Sequence, residues 1–145
     1  MVQVQQHDIL DTILAKRQEL IEKRGYSFGH SIPEQRTKPV VPFLPEKGVI
    51  LEVKRASPSK GDIAPYLNAS ETALLYGKGG AAAVSVLTEE NFFKGNLDDL
   101  CTVSNELYAK YPQTAVLRKD FLTDIEEIEI SYLCGADVVL LIARI

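Results

Sequence analysis

The chain has 145 residues, 46% of them hydrophobic, which is enough to bury the core of one domain. Its formal net charge is -4 with both signs interspersed, which argues against nucleic-acid binding through a basic stripe. Residues 1–8 lack the basic start of a secretory signal, and the longest apolar run, 138–143, is too short to cross a bilayer. We therefore expect a cytoplasmic protein with no membrane partner.

The first predicted element is a helix over 8–24. Apolar residues recur there at helical spacing, and Gly25 follows Lys23 and Arg24 as a stop signal. The segment 26–47 contains four prolines and shows no clean period, so we predict an ordered or semi-ordered connector. Residues 1–47 are thus interpreted as an N-terminal helix and connector, and residues 48–145 as the main unit.

From residue 49 onward, strands and helices alternate. Strands are predicted over 49–54, 82–87, 115–119 and 137–143, and helices over 70–78, 97–110 and 125–134. The second and fourth strands are almost continuously apolar, which is typical of a parallel sheet covered by helices on its faces. The alternation predicts an α/β fold of right-handed βαβ units.

The cysteines and histidines predict no metal site. Cys101 and Cys134 lie among apolar residues without metal-ligand spacing, so we interpret them as reduced, packed thiols. His7 and His30 are isolated in the sequence, and we interpret both as solvated surface residues.

The end of the first predicted strand carries two opposite charges on one face. Glu52 and Lys54 are two residues apart, so they project together, and a Ser/Pro/Gly turn follows. Charges on the inward face of a buried strand are costly to desolvate, which favours a chemical role. A structural ion pair at a strand end is the alternative.

Polar and aromatic residues also follow the later strands, where α/β folds place their functional groups. Lys119 ends the third predicted strand on the same face as Phe121, and Phe93 lies in the loop after the second. If the strands present this face inward, Lys119 joins Glu52 and Lys54 in one pocket. A surface role for Lys119 and a packing role for Phe93 are the alternatives.

Four segments then resemble the indole-3-glycerol-phosphate synthase family. They are EVKRASPSKG at 52–61, SVLTEENFFKG at 85–95, LRKDF at 117–121 and GADVVLLI at 135–142, in the family's order with one at each strand end. The resemblance implies a (β/α)8 TIM barrel, a fold that takes roughly 250 residues, so this chain corresponds to about the first four βα units. It also implies that residues 1–47, the N-terminal helix and connector, lie over the barrel mouth.

The family's reaction closes the ring of 1-(2-carboxyphenylamino)-1-deoxyribulose 5-phosphate in tryptophan biosynthesis, with loss of CO₂ and water and without metal or organic cofactor. The resemblance implies that Lys119 is the acid for ring closure. Lys54 would contact the anionic groups and assist dehydration, with Glu52 as proton acceptor or orienting carboxylate. The substrate-binding residues implied are Ser57, Phe93 and Phe121.

Three further expectations concern the length of the chain. The family's second catalytic glutamate and its phosphate loops belong to strands five to eight, so we expect a truncated chain that is inactive or nearly so alone. Two copies could instead pair their open sheet edges into a non-catalytic binding module. Another phosphate-handling (β/α)8 enzyme, or an anion-binding module that has lost the reaction, is the remaining alternative.

Overall fold

The computed structural model describes residues 8–44 and 46–145. The helices are α1 (Ile9–Arg24), α2 (Ala69–Lys78), α3 (Leu97–Lys110) and α4 (Ile125–Leu133). The strands are β1 (Ile50–Val53), β2 (Ala56–Ser57), β3 (Gly61–Asp62), β4 (Ala83–Leu87), β5 (Ala115–Lys119) and β6 (Val138–Val139). His7, interpreted above as a surface residue, lies outside the described residues.

Four strands form one parallel sheet in the order β1-β4-β5-β6. Each neighbouring pair is parallel, and the consecutive strands are joined by α2, α3 and α4, so the predicted α/β class is confirmed. The predicted bounds of α3 and β5 match the structure at both ends. The predictions did not include the two-stranded antiparallel hairpin of β2 and β3 in the loop after β1.

The last strand is shorter than predicted. The apolar run suggested a strand over 137–143, whereas β6 covers only Val138–Val139. These two residues pair with Leu117 and Arg118 of β5, and β6 is the edge of the described sheet. Apolar composition favours burial, but a strand also needs a partner for its backbone groups.

The main core lies between the sheet and the helices. The outward side chains of the strands, among them Val53, Val84, Val86 and Val116, are buried against α2 and α3, which contribute Ala73, Leu100, Val103 and Leu107. A side-chain N-cap begins each helix: Asp8, Asn68, Asn96 and Asp124 each accept a hydrogen bond from a backbone N–H of the first turn. Because the four strands are parallel, their carboxyl ends lie at one edge of the sheet.

The connector reaches the amino end of the sheet. Asp137 opens the turn into β6, and its buried carboxylate accepts hydrogen bonds from Arg36 and Lys38, both at 2.7 Å. Val41 packs against Ala83 and Ala115, which begin β4 and β5. This placement differs from the expectation that the whole segment covers the mouth. The reason is topological, because β1 is parallel to its neighbours and the chain must enter it at its amino end.

We expect Asp137→Asn to destabilise the fold by about 3 kcal/mol, because it leaves two buried cations without their carboxylate. The same carboxylate also accepts the N–H groups of Val41 and Val116, at 2.9 and 2.8 Å. Urea unfolding measures the loss. Glu129→Gln, at an exposed position of α4, is the matched control. Equal stability of the two variants would contradict the role assigned to Asp137.

Candidate active site

Three charged side chains meet on the inward face of the sheet at its carboxyl edge. Glu52 in β1 accepts a hydrogen bond from Lys119 Nζ of β5 at 2.7 Å, and its other oxygen lies 2.9 Å from Lys54 Nζ. Ser85 Oγ of β4 donates to Glu52 at 3.2 Å. The register explains the meeting, because Glu52 is paired with Ser85, and Leu87 with Lys119.

The cluster is half-buried and carries an excess of positive charge. Side-chain exposure is 25% for Glu52, 33% for Lys54 and 40% for Lys119, so a ligand can reach all three. Burial of Glu52 favours its neutral form, but hydrogen bonds from Lys119 and then Lys54 outweigh this and lower its pKa. Two ammonium groups thus share one carboxylate, an arrangement suited to an anionic ligand.

Two aromatic rings lie on the loops at the same edge. Phe93, in the loop after β4, and Phe121, two residues beyond β5, have ring centroids 6.0 Å apart with planes inclined by 36°. Both side chains are half-buried. The pair forms an apolar surface at the edge of the sheet where the charged cluster lies, and such a surface can receive a planar ring.

Ser57 lies in the hairpin of β2 and β3. Its hydroxyl accepts from the backbone N–H of Lys60 at 3.3 Å, so the contacts that the structure gives it belong to the turn. The hairpin is tied to the loop that carries Phe93 by an ion pair between Lys94 and Asp62. Ser57 is therefore close to Glu52 in the sequence, but its hydroxyl makes no hydrogen bond to the Glu52 cluster in the structure.

Sequence reasoning did not single out Glu89, which organises the Phe93 loop. Its side chain is only 2% exposed, and its carboxylate accepts the N–H groups of Asn91, Phe92 and Phe93 at 2.6–3.0 Å. The loop closes at Gly95, where the backbone runs so close to Leu87 that a Cβ atom would overlap the Leu87 carbonyl group. The signal available was a carboxylate placed directly after a buried strand and before a short loop that closes at a glycine.

A second omission is the ionic network on the opposite face of β5. Alternation correctly separates Arg118 and Asp120 from Lys119, but it does not show that both are fully buried. They pair with each other, and Arg17 of α1 and Glu127 of α4 complete the network. No local pattern links residues 17 and 120, because the contact depends on how α1 docks.

The interpretation of His30 as a solvated residue is wrong. Its ring is 20% exposed and lies between Glu90 and Asp98, at 2.7 and 2.8 Å. Burial disfavours the charged ring, yet the hydrogen bonds to the two carboxylates prevail and raise the pKa of His30. His30 therefore links the connector to the loop after β4 and to the first turn of α3.

Cys134 is buried and Cys101 half-buried, in agreement with the predicted packing of these two residues. Across residues 8–44 and 46–145, no group of three His, Cys, Asp or Glu side chains is arranged to hold a metal ion. Within the same ranges, no helix has the length and apolar character needed to cross a membrane.

Comparison with known proteins identifies the family of the chain. A model of the family "Indole-3-glycerol phosphate synthase" matches residues 10–145. The chain belongs to this family. It is 41% identical to the indole-3-glycerol phosphate synthase of Aliarcobacter butzleri (strain RM4018), over 94% of this chain and 54% of that protein. It is 40% identical to the Bacillus cereus (strain B4264) enzyme of the same name, over 92% of this chain and 51% of that protein.

The chain spans about half the length of the curated relatives that it matches. The family is a TIM barrel, and the parallel sheet of four strands with its helices is a partial barrel of this kind. The carboxyl edge that carries Glu52 and Lys119 is the edge where such barrels place their active sites.

The pairing of Glu52 with the two lysines predicts an ordered set of pKa changes. We expect Lys119→Met to raise the Glu52 pKa toward its ordinary value of 4.5, and Lys54→Met to raise it less. Because folding lowers this pKa, the pair contributes stability above pH 4.5, and that stability is lost as the pH falls through the folded-state value.

Carbon-13 NMR of the Glu52 carboxyl group measures the change. Lys110→Met, on an exposed lysine at the far end of α3, is the control and should leave the titration midpoint where it is. A Glu52 midpoint that is the same in wild type and Lys119→Met would contradict the assigned pairing.

Proposed function

We propose that the protein serves the indole-3-glycerol phosphate synthase reaction as the part of the barrel that contributes Glu52, Lys54 and Lys119. The observation that carries the proposal is the single carboxylate bridging two ammonium groups beside a pair of aromatic rings. The names of the relatives support the same reaction. The substrate would be a small phosphorylated molecule, 1-(2-carboxyphenylamino)-1-deoxyribulose 5-phosphate.

Lys119 is the proposed acid for ring closure. As the aromatic carbon attacks the ketose carbonyl carbon, a C–C bond forms and the carbonyl oxygen takes a proton from Lys119 Nζ. The bond to the carboxylate then breaks, CO₂ leaves, and the electron pair returns to the ring to restore aromaticity. General acid catalysis of such a step is worth roughly 10²–10⁴ in rate.

Lys54 and Glu52 are the proposed pair for dehydration. The hydroxyl group left by ring closure departs as water with a proton from Lys54, and Glu52 accepts the proton that the ring gives up. Its lowered pKa supports this assignment, because it keeps the carboxylate ionised and able to accept. The excess ammonium charge complements the anionic groups of the substrate.

The remaining predicted residues would surround the ring of the substrate. Phe121 would lie behind the anthranilate ring, Phe93 would cover it, and Ser57 would line the entrance from the hairpin. We also propose the cytoplasm as its location, because the relatives are named for a biosynthetic synthase.

The reaction is proposed to need more of the barrel than this chain contains. The described sheet has four strands, and the relatives are about twice as long as their match to this chain. In this proposal, residues 48–145 provide half of the barrel and residues 1–47 its N-terminal helix and connector. We therefore expect little or no turnover by the chain alone.

Turnover is tested by mixing the chain with the part of the Aliarcobacter butzleri relative that this chain does not match. We expect indole-product fluorescence from the mixture, and Lys119→Met should lower the rate roughly 10²-fold or more. Lys110→Met is the matched control. Light scattering must first show that the two parts form a complex. A complex without turnover, or one in which Lys119→Met is fully active, would contradict the proposal.

We further propose that the chain alone self-associates through its sheet edges. Val49 and Ile50 are exposed at the β1 edge, and Leu141 is 65% exposed just beyond β6. Next to β6, α4 exposes Ile125 and Tyr132. Edges and apolar faces of this kind favour pairing with another copy.

Light scattering on a size-exclusion column tests this second proposal. We expect a dimer, and Leu141→Lys should shift it toward the monomer because it places a charge on the edge. Ala109→Lys adds the same charge to an exposed position of α3, away from both edges, and should leave the dimer intact. A folded wild-type chain that is strictly monomeric would sink the idea.

A further inference from the structure

A buried ionic network ties α1 to the carboxyl end of β5. Arg17, 3% exposed, donates through Nη1 to Asp120 Oδ1 at 2.7 Å and through Nη2 to Glu127. The second oxygen of Asp120 accepts from Arg118 Nη2 at 3.1 Å and from the Thr88 hydroxyl. Two guanidinium groups thus face two carboxylates, so the network is balanced in charge although it is buried.

Asp120 also connects this network to the two residues of the candidate site that flank it in the sequence. Asp120 stands between Lys119, which reaches Glu52 on the inward face, and Phe121, whose ring meets Phe93. Its Oδ1 atom accepts both the Arg17 guanidinium and the backbone N–H of Phe121, the latter at 2.8 Å. One oxygen therefore joins the N-terminal helix to the turn that carries the site.

The turn that follows β5 is not fixed by the hydrogen bonds of the sheet alone. The ladder with β4 ends at Lys119, whose carbonyl oxygen accepts from Thr88 N at 3.2 Å. From residue 120 to the start of α4, the backbone is held mainly by side chains: Asp120 binds Phe121 N, and Glu127 binds Thr123 N at 2.8 Å. Arg17 contacts both of these carboxylates.

We propose that Arg17 is a positioning residue for Lys119 and Phe121, and that it acts through Asp120 to hold the turn from which both side chains enter the site. The inference rests on the proposed function of that site and adds to it a residue of α1. The planar fork of an arginine suits the task, because it presents N–H groups to two carboxylates at once, which a lysine ammonium does not do with fixed geometry.

Glu52 provides a readout that does not depend on activity. Burial favours the neutral acid, while the hydrogen bonds from Lys119 and Lys54 lower its pKa. If Lys119 moves away, the Glu52 pKa rises. A residue that only stabilised the fold would leave this pKa unchanged in molecules that remain folded.

We expect Arg17→Met to raise the Glu52 midpoint, measured by carbon-13 NMR, by at least half of the rise that Lys119→Met produces. The NOE between the rings of Phe93 and Phe121 should weaken at the same time. Asp120→Asn should act in the same direction, because it weakens the acceptor of the same link.

Two controls separate this role from general effects. Glu127→Gln breaks the other ion pair of Arg17 but leaves the pair with Asp120 and the Asp120 bond to Phe121 N, so it should raise the Glu52 midpoint much less than Arg17→Met does. Lys16→Met removes one positive charge from the exposed side of α1 and should also leave it unchanged. A folded Arg17→Met protein with the wild-type midpoint and NOE would overturn the proposal, as would an equal shift in Glu127→Gln.

If Arg17→Met does not fold, the double variant Arg17→Met/Glu127→Gln replaces it, because it keeps the buried charges balanced. Loss of the fold in that variant and in Asp120→Asn would overturn the proposal in favour of a purely structural network. The proposed function fails separately, through absence of substrate turnover by the assembled wild-type protein, a result that leaves the Glu52 titration unaffected.

Discussion

Strand β5 carries ionised side chains on both of its faces, and most of the structure is arranged to accommodate them. Lys119 faces inward to Glu52, while Arg118 points outward into the layer beneath the helices. Burying such charges is favourable only when each finds a partner of good geometry. Arg118 finds its partners in α4, in Thr88 after β4 and in Asp120. Asp120 in turn binds Arg17 of α1, so the end of β5 is linked to both helices.

The two charged clusters differ in charge balance and in exposure to solvent. The outward cluster pairs two guanidinium groups with two carboxylates and is closed to solvent. The inward cluster pairs two ammonium groups with one carboxylate and is open to solvent. A balanced, buried network suits a rigid support, and an unbalanced, accessible one suits the binding of an anion.

The N-terminal segment connects the two ends of the sheet. Helix α1 is held at the carboxyl edge by Arg17, and His30 next joins the connector to the loop after β4. Further along, Arg36 and Lys38 bind Asp137 at the amino edge, after which the chain enters β1. The described part of the segment is thus fastened by ion pairs at both edges, although it has no regular period of apolar residues.

The local pattern of the sequence was enough to predict most helices and strands of this protein. Periodicity and turn residues placed the helices and the four sheet strands, because burial on one face repeats at 3.6 residues in a helix and at two in a strand. The same alternation put Glu52 and Lys54 on one face, and Lys119 on the face opposite Arg118. Family resemblance in four strand-end segments then pointed to the reaction.

Tertiary structure alone decided the rest. The length of β6 depends on a neighbouring strand, the partners of His30 are 60 and 68 residues away, and the link from Arg17 to Asp120 spans 103 residues. Glu89 binds backbone groups whose positions exist only once the loop has closed. Charged side chains have no preferred partner in the sequence; they acquire one when packing brings two of them out of water together, and that event is set by the docking of whole elements.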